Sequence, residues 1–200
     1  MRIVTVLCGI FLFLFWAGDS FSEVPPPLGL PPVPIPEDNP QSPEKIALGK
    51  KLFEDKRFSG DGTISCATCH DPAKAFTDHL PVSEGIQKLK GTRNAPTVIN
   101  AVYYQSQFWD GRRPDLEEQS KDPFVNPVEH GLGKDHNFHG FIVETIRKDP
   151  EYAKQFKQVF GVDPEGITMN EVTTAIASFE RKVVAGDSPF DRYMYGGDKT

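Results

Sequence analysis

Apolar residues recur at helical spacing in several separate stretches of this chain, and no stretch alternates apolar and polar residues like a half-buried strand. The first stretch begins at Ser42, a side chain suited to capping a helix, with Pro43 at the first helical position. Ile46, Gly49 and Phe53, joined by Leu48 and Leu52, give that helix one buried face. Gly60-Asp61-Gly62 then breaks the chain. Pro114 to Lys121 predicts a short helix, with Asp115, Glu117 and Glu118 suited to its positive N-terminal end. Phe138 to Arg147 predicts another. Asp149-Pro150 opens a helix that sets Tyr152, Phe156, Val159 and Phe160 on one face and stops at Gly161. Thr168 and Glu171 form a capping-box pattern. The helix behind them carries Val172, Ala175, Ile176, Phe179 and Val183 as its core stripe, with Gly186 as the stop. The expected class is mostly α with long loops, and no internal repeat is visible.

Two segments fall outside this pattern. Residues 25–43 contain nine prolines, which cannot donate a regular hydrogen-bond ladder and run extended, largely as polyproline II. Leu28, Leu30, Val33 and Ile35 favour a strap across a surface over a free linker. Residues 1–22 have the form of a cleaved export signal. Arg2 supplies a short positive region, Ile3 to Trp16 is almost wholly apolar, and Ser20 and Ser22 precede Glu23 in a small-x-small pattern. The apolar run is short against the about 20 residues that a membrane span needs. Cys8 lacks the small residue a lipoprotein site would want before it. Export to the periplasm is the expectation.

A chain of 200 residues suits one domain, or one domain and a tail. Its net charge of -6 argues against nucleic acid, whose partners carry a basic stripe. A basic protein partner is compatible with that charge. After the signal only Cys66 and Cys69 remain, and a pair two residues apart cannot staple a domain.

Those two cysteines lie in Cys66-Ala67-Thr68-Cys69-His70, the spacing of a covalent haem c attachment site. Two thiols at this spacing form thioethers with the two vinyl groups of one porphyrin, and the next residue, His70, then lies under the iron as proximal ligand. A dithiol redox pair or half a zinc site would not require the histidine, and no second cysteine pair exists to complete a zinc site. The ring of His70 is expected to donate its other N–H to a backbone carbonyl. A sixth protein ligand would make an electron carrier, and an open face would make a site for peroxide or oxygen chemistry. Candidates for that ligand are His79, His130, His136, His139, Met169 and Met194, and spacing alone does not decide among them.

From Leu48 to about Tyr193 the chain resembles the N-terminal haem domain of the bacterial di-haem cytochrome c peroxidase and MauG family. The resemblance rests on Leu48-Gly49-Lys50-Lys51-Leu52-Phe53, Cys66 to Pro72, Gly91-Thr92-Arg93-Asn94-Ala95-Pro96-Thr97, Gln107-Phe108-Trp109-Asp110-Gly111-Arg112, Asn126-Pro127-Val128-Glu129 and Ser188-Pro189-Phe190-Asp191. It implies a cytochrome c-like haem domain over residues 44–195, with residues 196–200 starting a linker to a second haem domain. Glu129 matches the family's distal acid, which moves a proton between the two oxygens of peroxide. Gln119 matches the distal amide that orients peroxide, and Trp109 the tryptophan between the two haems. Asn94 matches a side chain on an interdomain calcium, for which hard oxygen is the suitable donor.

Two departures from the family pattern matter. Some members carry a displaceable distal histidine in the loop that here reads Val82-Ser83-Glu84-Gly85-Ile86-Gln87, and the matching position is Ile86. The haem is therefore expected to lack that block. The family's second C-x-x-C-H is also missing, so the sequence is expected to be a piece of a longer chain. An exposed interdomain face would otherwise invite pairing with a second copy. The resemblance implies a periplasmic peroxidase that reduces hydrogen peroxide with electrons from a small cytochrome c or cupredoxin. The alternatives are a MauG-like enzyme oxidising residues of a partner protein and, from another class, a mono-haem electron carrier.

Overall fold

Ser42 Oγ accepts from the Lys45 N–H at 3.2 Å and opens α1 (Pro43–Glu54). The computed structural model describes residues 25–133 and 138–197, so the expected export signal lies outside the described residues. α1 buries Leu48, Leu52 and Phe53 against α7 (Met169–Glu180), whose own buried face is Val172, Ala175, Ile176 and Phe179. The two helices meet closely at Gly49, where an added Cβ would lie 1.9 Å from the Ala175 carbonyl oxygen. Phe53 stacks on Phe179 at 5.2 Å between ring centroids. Ile46 is only half-buried; Lys45 takes the inner place, its ammonium held by Asn39 Oδ1 and the Pro40 carbonyl.

α5 (Phe138–Arg147) and α6 (Pro150–Phe160) complete the core, and Gly161 ends α6 in the left-handed region at φ 71°. The Tyr152 ring packs on Phe58, and its hydroxyl donates to Asp55 Oδ2 at 2.9 Å. The class is mostly α with long loops, as expected. Among the described residues, pairing of extended segments is confined to isolated bridges such as Asp71 with Thr77 and Gln107 with Arg113.

Three local expectations are corrected. The short helix expected over Pro114 to Lys121 is confined to α3 (Leu116–Gln119), and a second short helix, α4 (Asp122–Val125), follows it. Pro123 is the cause, because its ring cannot pack under the carbonyl four residues earlier, that of Gln119. α7 ends at Glu180, short of Val183 and Gly186. The Val183 carbonyl instead accepts from the Asn100 N–H, and Gly186 makes room for the Leu28 backbone. A further helix, α8 (Pro189–Tyr195), follows a reciprocal cap between Ser188 and Asp191 that periodicity did not reveal.

The proline-rich segment, described from Pro25, runs over the domain as a strap, with Leu30 and Val33 half-buried beneath it. Leu28 and Ile35 are exposed, whereas Asn39 is buried and donates to Glu117 Oε1 at 2.7 Å and to the Thr174 carbonyl at 3.1 Å. Tyr103 Oη donates to the Pro31 carbonyl and the Asp187 N–H to that of Leu28.

Candidate active site

The thiols stand on α2 (Cys66–Cys69), a single turn that Ser65 and Thr68 close on each other. The Ser65 N–H donates to Thr68 Oγ1 and the Thr68 N–H returns to the Ser65 carbonyl, both at 2.9 Å. The His70 N–H then donates to the Cys66 carbonyl at 2.9 Å. Sequence spacing therefore becomes geometry: two sulfurs and an imidazole are carried by one rigid turn. His70 Nδ1 lies 3.2 Å from the Phe76 carbonyl oxygen, the expected carbonyl partner, leaving Nε2 free to ligate. Ala75 and Phe76 reach that position with φ of 54° and 56°. Burial lowers the His70 pKa against the opposing carbonyl bond and favours the neutral ring a metal requires. Burial also pushes the Cys66 thiol up, and Cys69 up to about 11.

Cys69 and His70 open onto a cavity of about 490 Å³. Its wall also carries Gln119, Glu129, Trp109, Asn94 and Arg112, so residues far apart in sequence are brought to one space. Cys66 is packed against the hydrophobic core at its edge. Gln119 is the last residue of α3 and faces the cavity because Pro123 ends the helix there. Glu129 stands in a turn fixed from both sides. Asn126 Oδ1 accepts from the Val128 N–H at 2.9 Å, and Asn126 Nδ2 donates to Glu129 Oε1 at 2.6 Å. The Ile86 N–H meets the Val128 and Glu129 carbonyls at 3.1 and 3.0 Å. Gly85 is required for that approach, since an added Cβ would lie 1.9 Å from the Val128 oxygen. Burial raises the Glu129 pKa; Asp122 adds to this, while Arg112 and the Asn126 bond oppose it.

The rim of the cavity is polar. Arg112 lies over the Phe108 ring at 3.4 Å and bonds Asp110 and Asp122. Arg93 also bonds Asp110, and the two guanidiniums hold that carboxyl down at about 2. The Trp109 indole donates to the Asn94 carbonyl at 3.1 Å, yet the residue is 60% exposed. Asn94 is an exposed loop residue. Among the described residues no group of three or more His, Cys, Asp or Glu side chains could hold a metal ion.

None of the described candidates for a sixth ligand lines the cavity. His79 is exposed, His130 is buried with Nδ1 2.9 Å from the Phe58 carbonyl, Met169 is in the core and Met194 is exposed on α8. His136 and the side chain of His139 lie outside the described residues. Ile86 is buried, and its side chain sits against Gly60 and Gly131. Sequence reasoning missed Asn126 as the support of Glu129, Arg112 as a nearby charge, and above all Glu180. That glutamate ends α7 in the cavity wall, 6% exposed, with Oε2 unpartnered. Adjacent Arg181 makes the dipeptide read as surface, and no signal in the sequence marked it as buried.

These residues fit a covalent haem. Two thiols and an imidazole share one turn, one ring nitrogen is tied to a carbonyl, and the cavity volume falls in the roughly 300–1,000 Å³ range of cofactor sites. The comparisons agree. The family model for di-haem cytochrome c peroxidases matches residues 43–199. The chain is 42% identical over 200 residues to cytochrome-c peroxidase IdrP1 of Pseudomonas sp. (strain SCT), covering 98% of this chain and 50% of that protein. It is 40% identical over 166 residues to the methylamine utilization protein MauG of Methylorubrum extorquens, covering 83% and 45%. A crystal structure of a MauG-like protein associated with microbial copper homeostasis superposes with a TM-score of 0.75 at 36% identity, covering 92% of this chain and 51% of that one. The chain thus spans about half the length of the relatives it matches.

Proposed function

The chain belongs to the di-haem cytochrome c peroxidase family, and on that premise we propose that it is the peroxidatic haem domain of an enzyme that reduces hydrogen peroxide to water. The observation that carries this reading is one cavity wall holding both His70 and a half-buried, supported Glu129. Cys66 and Cys69 would hold one haem c covalently, and His70 would bind its iron. When bound, the haem would supply the redox-active iron that passes the donor's electrons to peroxide. The balance is one peroxide, two electrons and two protons to two waters.

The chain's own residues manage the protons and the orientation. Glu129 would accept the proton from one peroxide oxygen and return it to the departing one. Asn126 occupies Oε1, which leaves Oε2 for that transfer. Gln119 offers both a donor and an acceptor, the combination that holds peroxide in one orientation. The described cavity wall has one histidine and no methionine, which supports a peroxide site over an electron carrier that needs a second protein ligand. Its 40% identity to MauG favours a second reading, oxidation of residues in a partner protein.

The electrons come from a small cytochrome c or cupredoxin, and exposed Trp109, which matches the tryptophan between the two haems, would relay them towards this site. The export signal in residues 1–22 directs the protein to the periplasm, where the mature chain starts at Glu23. Calcium at Asn94 would draw its remaining ligands from a second domain.

The decisive experiment is peroxide turnover by the haem-loaded protein with a reduced small donor. Glu129→Gln should lower kcat about 10²–10⁴-fold. A variant near the wild-type rate would remove Glu129 from its role. The carboxylate form is the proton acceptor and its pKa is raised, so turnover should fall with falling pH at a value above the ordinary glutamate pKa of about 4.3.

A further inference from the structure

On the described cavity wall the peroxide reaction leaves one buried acid unused. Glu180 closes α7 on the cavity wall, 6% exposed, and Oε2 has no hydrogen-bond partner. A buried carboxylate oxygen left unpaired destabilises the fold, so packing does not account for it. Its neighbour Arg181 makes no hydrogen bond to it: that guanidinium turns to Glu117 on α3, with Nη2 donating to Oε2 at 2.8 Å and Nη1 2.7 Å from Oε1. Lys45 of α1 lies in the field of that Arg181–Glu117 pair and bonds Asn39 and Pro40. On the α2 side the group that senses Glu180 is Cys66, and in haem-loaded protein this sulfur is an uncharged thioether. Glu129 stands elsewhere on the same wall, turned to Asn126.

We propose that Glu180 is a redox-linked proton site, which binds a proton when the haem is reduced and releases it when the haem is re-oxidised. The inference rests on the covalent haem proposed above. As one electron from a one-electron donor converts ferric to ferrous iron, the cavity loses one positive charge. The nearby carboxylate is then less stabilised and takes one proton from solvent. Loss of the electron reverses both events, so charge in the cavity stays constant through each cycle. Burial places the group where this exchange falls in an accessible range, up to about 8, with Glu117 adding to the rise and Arg181 opposing it. Glu129 moves protons to peroxide, whereas Glu180 moves them with electrons, before any peroxide is present.

The test is a spectroelectrochemical titration of the haem-loaded full chain, without peroxide, from about pH 6 to about pH 10. The reduction equilibrium of the His70-bound haem should become less favourable as pH rises, by at most tenfold per pH unit, which is about 59 mV for one electron. Glu180→Gln should flatten that dependence, and Glu129→Gln should keep it. Should Glu180→Gln fail to fold, the redox-difference infrared spectrum of the wild type decides, with a protonated carboxyl band growing on reduction. A slope unchanged in Glu180→Gln, a slope abolished by Glu129→Gln alone, or an infrared spectrum without that band overturns the proposal. Haem attachment is read first from the absorbance of the denatured chain. A chain with no covalent haem sinks the functional reading itself, a different failure from an attached haem with no pH dependence.

Discussion

The α1–α7 pair, which reaches the cavity through Glu180, and the loop-built wall from Phe76 to Glu129 are held in opposite ways. The helices satisfy their backbone groups internally and are locked by apolar contact, Leu48, Leu52 and Phe53 against Ala175, Ile176 and Phe179. The wall has almost no ladder of its own and stands on single bonds between loops, such as Ile86 N–H to the Val128 and Glu129 carbonyls. It also carries backbone strain. Seven of the eight non-glycine residues described with positive φ lie between Ala75 and Phe108, so the unfavourable conformations sit beside the site and not in the core. The helices supply stability, and the wall uses it to keep polar side chains in positions they would not hold alone.

The sharpest way to break this division is Phe53→Ala. Phe53 is 1% exposed, stacks on Phe179 and lies 6.4 Å from the His70 ring. Truncating a buried phenylalanine costs about 3–5 kcal/mol, a large share of the stability of a single domain. Chemical denaturation of the haem-loaded protein should show that loss together with a disturbed His70 environment. A near-wild-type midpoint would mean the helix pair is not the scaffold. Gly85→Ala probes the other side. The new methyl must displace the Val128 carbonyl, overpacking that typically costs about 1–3 kcal/mol. Because Glu129 is the next residue, kcat with peroxide should fall by up to about 10²-fold, as for a misplacement of roughly 1 Å. KM should move less. Full activity would show that the wall tolerates movement at its acid.

The same division explains what could be read in the sequence. Helices α1, α5 and α6 were legible because capping residues and apolar periodicity are local signals: Ser42, Asp149 and Gly161 stand where their chemistry requires. The haem turn was legible because Cys66, Cys69 and His70 are neighbours in the chain. Glu129 and Gln119 were not legible from physics, since a lone acid or amide carries no signal. The family resemblance alone singled them out, and the fold puts both on the cavity wall. Glu180 escaped both routes. Its burial depends on Arg181 turning away to Glu117, some sixty residues earlier, a contact that no local pattern encodes. The strap shows the same limit, because its buried anchor is Asn39, a polar residue that no apolar pattern marks.

The smallest expected effect tests whether the two regions are separable at all. Ser42 caps α1 by accepting from the Lys45 N–H, at the far end of the helix from Phe53 and outside the cavity wall. Ser42→Ala removes that acceptor and leaves an N–H without its partner, at a typical cost of about 1 kcal/mol. In a domain of this size that corresponds to a fall of roughly 2–4 °C in Tm. Lys45 follows in the first turn, so fraying would also loosen its bonds to Asn39 and Pro40, where the strap meets α7. If the helices act only as a scaffold, Tm should fall while kcat/KM for peroxide and the haem potential stay at wild-type values. If the potential shifts as well, the disturbance has travelled from Lys45 and Asn39 through Glu117 and Arg181 to Glu180. The scaffold and the wall would then be one electrostatic unit, joined through that buried network.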